Sequence, residues 1–566
     1  MEQLFPQFPA RRIHSLDGIW EFCFVTECAD PEHPAWNALA FDDLMAVPGV
    51  FDTLPPDAGR RGVGFYRTWI TTSAERLRLK LNGLGLRATL FLDRKLIGID
   101  DLPYTGVSFD FPAGGAGEHE LVIAVDNRLD FQRTPLFSQW YDYYGHGGIY
   151  RSVELHELAP CSFDRVEVRT LSLDGRVGVK LLLSGNVPEK LDFTCSFDDE
   201  APQSMTAAVN DGALEFEARI ANPALWSPES PRLHTVRLEA DGEAIVERFG
   251  LRTIRAEKGR LLLNDAPLKL LGVCRHETHP QFGPALPLQL LREDVAFLRE
   301  LHCNFVRGSH YQQDPRFLDL CDRFGILVWE EGIGWGDNET HLTDPGFRSG
   351  QLRQQKWIVA NSFNHPSVIL RGFLNEGDSE SLPGRALYET LAAELRRLDP
   401  TRPITYASNH YERDINFDLV DVISLNAYPG WYAEDREAVR PLGEIAPVLD
   451  RFIAWMDQQG FGDKPFIVSE IGAGGIYGWR DRFRAHWSEE YQADYLDEVC
   501  RYILSHDRVT GVALWQYCDG RTYSSAYALG RPRAFNNKGL VDEYRRPKLA
   551  FETVRRHFSG EPAQGR

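Results

Sequence analysis

From about residue 255 the sequence alternates short apolar runs, eight in all, with longer amphipathic stretches. The runs are Leu268–Val273, Asn304–Gly308, Ile326–Glu330, Val368–Leu374, Pro403–Tyr406, Val422–Asn426, Phe466–Glu470 and Thr510–Gln516. Helical periodicity predicts helices at Leu290–Leu301, Pro315–Phe324, Ser349–Asn361, Ala386–Leu398, Pro447–Gln458 and Tyr491–His506, with Lys548–Phe558 as the last. Parallel strands need crossovers, and the helices supply them. Eight strands with helices interposed predict a closed (β/α)8 TIM barrel over residues 255–566 rather than an open sheet.

The preceding residues read as β. Alternating strands at Gly18–Phe24, Gly64–Thr71, Arg76–Leu81, Ala88–Leu92 and His119–Val125, parted by Gly, Pro and Asp turns, predict a jelly roll over 1–157. Arg165–Thr170, Val177–Leu183, Leu191–Phe197, Leu214–Ile220 and His234–Ala240 predict a small immunoglobulin-like sandwich over 158–254. The fold class is therefore multidomain α and β, with three domains in that order. Asn82–Ala88 (NGLGLRA) has dinucleotide-binding glycine spacing, but a strand follows it, so no helix N-terminus awaits a pyrophosphate.

Formal net charge is −20, which argues against nucleic acid or an anionic membrane as partner. No run of about 18 apolar residues exists to span a membrane. MEQLFPQFPARR lacks the apolar core of a secretory leader, and nine scattered cysteines include no CxxC pair. The expectation is a cytoplasmic protein with reduced thiols. The 13 Trp and 20 Tyr suit stacking against sugar faces, though large β-domain cores use the same residues.

In a (β/α)8 barrel the chemistry sits at the C-terminal strand ends. Here those ends are polar on nearly every strand: Arg275-His276-Glu277, His310-Tyr311, Glu330-Glu331, Asn375-Glu376, Asn426 with Tyr428, Glu470, and Trp515-Gln516. One Asn-Glu after a strand is ordinarily a solvated loop carboxylate. Two glutamates on strands four and seven of one barrel share a rim, and glycoside hydrolysis uses such a pair. Spacing alone leaves open which is acid and which nucleophile, and leaves a metal enzyme open too. His276-Glu277-Thr278-His279 is one residue short of HExxH, so no metal site is expected. No P-loop or Gly-x-Ser-x-Gly elbow is present, and no cofactor is expected.

These motifs together resemble glycoside hydrolase family 2. The likeness is carried by SLDGIWEF (Ser15–Phe22), GIYRSVEL (Gly148–Leu155), GVCRHE (Gly272–Glu277), HCNFVRGSHY (His302–Tyr311), FGILVWEE (Phe324–Glu331), FLNEGD (Phe373–Asp378) and IVSEIG (Ile467–Gly472). The resemblance implies a retaining glycosidase with Glu376 as acid/base and Glu470 as nucleophile. Within the family, DPTRPITYAS (Asp399–Ser408), SLNAYPGWY (Ser424–Tyr432) and FNNKG (Phe535–Gly539) resemble β-glucuronidases. The resemblance makes Asn536 and Lys538 the grip on a sugar carboxylate, with Arg531 and Arg533 as helpers. It also assigns Asp142, Tyr428 and Tyr432 to the site. A carboxylate entering a pocket that holds two glutamates needs such a cation. His276, His310, Asn375, Asn426 and Trp515 complete the expected substrate-binding set.

The expected partner is a β-linked uronide, with β-galacturonidase or β-galactosidase as alternatives of the same family and a silent carbohydrate-binding protein as an alternative of another class. The oligomeric state, a homo-oligomer included, is left open. One departure stands out. Gly377 occupies the place after the acid/base where the relatives usually have proline, which predicts a freer loop. The short passage from Tyr311 to the Pro315 helix predicts an open mouth for the aglycone.

Overall fold

The computed structural model describes residues 4–55, 57–138, 141–432, 442–522 and 531–560. Two antiparallel sheets form the first domain. One runs, in order, through Ile13–Ser15, Val153–Leu158, Arg76–Leu81 and Val107–Pro112. The other runs through Asp43–Val47, Gly18–Val25, Val63–Thr72, Gly117–Asp126, Arg87–Leu92 and Lys95–Asp100. Period-two alternation turns Leu77, Leu79 and Leu81 of one sheet toward Trp20, Phe22, Tyr66 and Ile123 of the other. Arg87–Leu92 follows the glycine run at Asn82–Leu86 as a strand.

The second domain pairs a three-stranded sheet (Cys161–Thr170, Arg176–Gly185, Ala213–Arg219) with a four-stranded one (Gln203–Ala208, Lys190–Phe197, His234–Ala240, Glu243–Phe249). Phe8 lies in this domain's core and Gln7 bridges to Val246. The start of the chain thus packs on the second sandwich and not within the first.

A three-stranded meander over 254–268 precedes the barrel, and Ile254, Leu261 and Leu263 enter the barrel's inner core. Eight parallel strands then close: β1 Leu270–Arg275, β2 Phe305–Gly308, β3 Leu327–Glu331, β4 Val368–Asn375, β5 Ile404–Ser408, β6 Ile423–Asn426, β7 Phe466–Ile471 and β8 Val509–Leu514. The helices around them are α1 Leu288–Glu300, α2 Pro315–Phe324, α3 Pro345–Ser362, α4 Arg385–Leu398, α5 Ile445–Gln458, α6 Glu489–Ser505 and α7 Leu549–Ser559. Local chemistry sets their ends. Asp314 caps α2 through the Arg316 amide, Pro315 fills its first turn, and Gly325 (φ 72°) closes it in the left-handed region. An Asp344–Pro345 start of the same kind makes α3 begin four residues before the predicted Ser349.

Candidate active site

Strand β4 does not end regularly. Its register with β5 shifts between Gly372 and Asn375, and Leu374 and Glu376 both have φ of 52°. Left-handed backbone at two non-glycine residues costs about 1–3 kcal/mol each and needs surroundings that enforce it. The Glu376 amide donates to the Ala407 carbonyl on β5 at 2.9 Å, and the Asn375 amide donates to the Gly334 carbonyl at 2.8 Å. The register of β6 with β7 also slips, between Leu425 and Asn426, and that of β7 with β8 between Val468 and Ile471. Such irregularities re-aim side chains that strict alternation would send elsewhere. Glu376, Asn426 and Glu470 consequently line one cavity of about 590 Å³, with Asp142, Tyr428, Tyr432 and Trp515.

A hydrogen-bond network joins the two glutamates. Asn426 Nδ2 donates to Glu376 Oε1 at 2.8 Å and to Asn375 Oδ1 at 3.0 Å. Ser469 Oγ donates to Asn426 Oδ1 at 2.8 Å, which fixes that amide's orientation. Arg307 Nη2 donates to Asn375 Oδ1 at 2.7 Å, and its Nη1 to Glu470 Oε1 at 2.8 Å. Tyr428 Oη donates to the other Glu470 oxygen at 2.7 Å. The glutamates therefore differ in surroundings. Burial, with Glu470 nearby, pushes the Glu376 carboxyl up to about 8. Burial also raises Glu470, but Arg307 and Tyr428 oppose it by favouring its anion. One carboxyl is poised to carry a proton at neutral pH and the other is held by two donors, the division that an acid and a nucleophile require.

A cationic group adjoins the cavity through Tyr432 and Asp142. Lys538 Nζ donates to Tyr432 Oη at 2.6 Å and sits over the rings of Tyr432, Tyr428 and Trp431 at 4.8, 5.5 and 5.6 Å. Burial and the neighbouring Arg531 lower it to about 7. Arg531 holds Asp142 with both terminal nitrogens, the Nη2–Oδ2 bond being 2.9 Å. Asn536 Nδ2 donates to the same Asp142 oxygen at 3.3 Å.

Four of the expected site residues have partners of their own. Arg533 turns away from the cavity: it takes φ of 64°, bonds Glu543 at 2.7 Å and Asn537 Oδ1 at 2.9 Å, and so braces the 531–538 turn from outside. His310 is 0% exposed, bonds Glu331 Oε1 at 2.7 Å and stacks beneath Trp515 at 5.3 Å, with its Nε2 at 3.9 Å from Glu470 Oε1. His276 bonds Tyr311 Oη at 3.2 Å and lines a narrow recess beside Asp142 and Asn536. Asn375 is enclosed, its Oδ1 taken by Arg307 and Asn426.

The loop after Glu376 is not free. A Cβ on Gly377 would stand 2.7 Å from Tyr388 Oη, and the Asp378 amide donates to the Asp337 carbonyl at 2.8 Å. Gly377 answers a close approach of a buried tyrosine, not a need for mobility.

Sequence reasoning missed Arg307, although its parity with Phe305 on an apolar strand marks it as facing the barrel axis. It also missed Trp335 and Asn409 on loops, Tyr411 on a short helical turn and Arg451 on α5, all of which line the cavity and none of which lies on a strand. Among the described residues, one group has ligand atoms close enough for a metal: Asp378, Glu380 and His410, within 4.8 Å of one another. Glu380 is exposed there and is answered by Arg413 at 3.3 Å. In the His-Glu-Thr-His stretch, Glu277 is tied to Arg151 at 2.8 Å.

Comparison with known proteins agrees with this geometry. A family model described as glycosyl hydrolases family 2, TIM barrel domain, matches residues 254–560, and one described as glycosyl hydrolases family 2 matches residues 163–252. A curated β-glucuronidase of Rattus norvegicus is 26% identical over 617 residues, covering 98% of this chain and 92% of its own. A solved family 2 β-galacturonidase from Eisenbergiella tayi, bound to galacturonate, is 32% identical with a TM-score of 0.89, covering 99% of this chain and 100% of that one. A Bifidobacterium dentium β-glucuronidase complexed with coumarin-3-O-glucuronide shares the fold, at 23% identity, a TM-score of 0.88 and 100% of each chain covered.

Proposed function

The chain belongs to glycoside hydrolase family 2 and is a glycosidase, and from that premise we propose that it is a retaining, exo-acting β-uronidase whose first substrates are β-D-glucuronides. Glu376 gives its proton to the glycosidic oxygen as that bond breaks, and a Glu470 oxygen attacks the anomeric carbon. Water then displaces Glu470 from the glycosyl-enzyme, with Glu376 taking the water's proton. A retaining pair stands roughly 5–5.5 Å apart. The linkage of both glutamates through Asn426, Asn375 and Arg307 supports that closeness.

The observation that carries the uronate reading is the Lys538–Arg531–Asn536 group, which adjoins, through Asp142 and Tyr432, a cavity that holds the carboxyls of Asp142, Glu376 and Glu470. Two cations against Asp142 leave one positive charge there, matching a uronate. The neighbour bound to galacturonate favours a second reading, a β-galacturonide, which keeps the same grip and differs at C4. Nine unpaired cysteines support placing the enzyme in the cytoplasm.

Four nitrophenyl β-glycosides test this: glucuronide, galacturonide, glucoside and galactoside. The glucuronide should turn over fastest and release the β-anomer first. A faster galacturonide selects the second reading. Neutral glycosides cleaved as fast as the uronides would overturn the uronate reading, and first release of the α-anomer would overturn retention.

A further inference from the structure

Glu376 stands on strained backbone, so something outside β4 must hold it. The segment 334–337 runs alongside 375–378 as a splint. Asn375 N donates to Gly334 O, Gly336 N to Asn375 O, and Asp378 N to Asp337 O, each at 2.8 Å. Trp335 and Asn375 form a parallel bridge. The splint's far end is Asp337, whose side chain is 1% exposed and faces the Tyr141 hydroxyl and the Trp335 backbone. Tyr141 belongs to the segment that follows the first domain's Gly117–Asp126 strand. It is itself buried and donates its hydroxyl proton to the Leu136 carbonyl at 3.1 Å.

We propose that Asp337, seated against Tyr141, is a positioning residue that sets the geometry from which Glu376 delivers its proton; this rests on Glu376 being the acid, as proposed above. The Asp337 carboxyl is enclosed, and burial holds it well above the usual carboxylate range. The Tyr141 hydroxyl and the Trp335 backbone are polar groups that face it, and the Tyr141 ring packs edge-on against Trp335 of the splint at 6.3 Å between centroids. Losing that contact frees the Asp337 end of the splint. The Asp378 amide then loses its fixed acceptor, two residues beyond Glu376. Acid catalysis falls steeply with such a displacement because the proton must reach one oxygen along one line.

The test separates proton delivery from general damage by leaving group. A phenyl β-glucuronide needs the acid, whereas 2,4-dinitrophenolate leaves without a proton. Asp337→Ala should lose about 100-fold in kcat on the phenyl substrate and less than about threefold on the dinitrophenyl one. Asp337→Asn keeps the size and polarity of the side chain and should stay within about threefold of wild type on both. Tyr141→Phe removes the hydroxyl that faces Asp337 without touching Asp337, and should show the same split at about tenfold, which serves if Asp337→Ala does not fold. Glu376→Gln is the control and should show the split in larger form. If Glu376→Gln shows no split, the acid assignment fails. If it does, and the Asp337 and Tyr141 variants lose both substrates equally or neither, Asp337 has no positioning role.

Discussion

Replacing Lys538 by methionine should improve stability and abolish selectivity together. Its ammonium is 2% exposed and depressed from 10.5 to about 7 by burial and Arg531. That depression corresponds to roughly 5 kcal/mol against the charged form at ~1.36 kcal/mol per pH unit. The sign follows from linkage. The unfolded chain holds this proton more tightly than the folded one, so the penalty is complete below about pH 7 and fades as pH rises toward 10.5. Methionine fills much of the same volume without charge, so Lys538→Met should melt higher than wild type at pH 6, with the gap closing toward pH 10. The opposite holds for the substrate. A uronate loses a charge-assisted partner of about 2–3 kcal/mol, roughly a hundredfold in kcat/KM, while a neutral galactoside loses little. In the wild type, uronate binding must reprotonate this lysine above pH 7, so KM for the uronide should rise by up to about tenfold per unit there. Steady-state kinetics on both nitrophenyl glycosides from pH 5 to 9, with thermal melts of both proteins, measures all three effects. An unchanged uronide-to-galactoside ratio in Lys538→Met would falsify the grip. A variant no more stable than wild type at pH 6 would remove the buried-charge argument.

Glu470→Gln should lower nitrophenol release by about 10⁴-fold or more; undiminished release would remove Glu470 as nucleophile. Arg307→Met leaves Glu470 and Glu331 buried without their guanidinium, so the acidic limb of kcat/KM should move upward in pH, with about 3–5 kcal/mol lost in a denaturant melt. A limb that stays in place would separate Arg307 from the nucleophile. Gly377→Pro puts carbon 2.7 Å from the Tyr388 hydroxyl and should cost about 1–3 kcal/mol. An unchanged melt would show that Tyr388 yields.

The barrel was legible because fully buried strands are apolar runs, and every run predicted from the sequence became a strand. The strands Lys95–Asp100, Val107–Pro112, Gln203–Ala208 and Glu243–Phe249 escaped notice because their burial is partial or their runs polar. In the site, residue type was legible and direction was not. His310 and Trp515 are both polar-tipped strand ends, yet one lies under the other, since stacking depth is set by two strands far apart in sequence. Arg531 and Arg533 are two residues apart and equally basic. A left-handed turn at Arg533 sends it to Glu543, while Arg531 meets Asp142 from another domain. No local pattern could rank them.

That dependence on another domain runs through the whole site. Arg151, 1% exposed, donates to Glu277 Oε2 at 2.8 Å, to the Gln312 carbonyl at 2.7 Å, and to the Tyr104 and Asn82 carbonyls at 2.7 and 3.1 Å. Tyr104 stacks on Tyr311 at 3.8 Å between ring centroids. A buried cation satisfied from both sides is costly to separate, about 3–5 kcal/mol for the loss of one partner. The first domain therefore cannot slide against the ends of β1 and β2 without exposing a charge. Asp142 and Tyr141 inherit that fixity. One reaches the sugar end of the cavity and the other reaches Asp337 behind the acid. A barrel with two glutamates has the groups for cleavage; under the proposed mechanism, which glycoside enters and where the proton is aimed depend on a β domain held by Arg151, by the Tyr104–Tyr311 stack and by the Arg353–Asp101 pair.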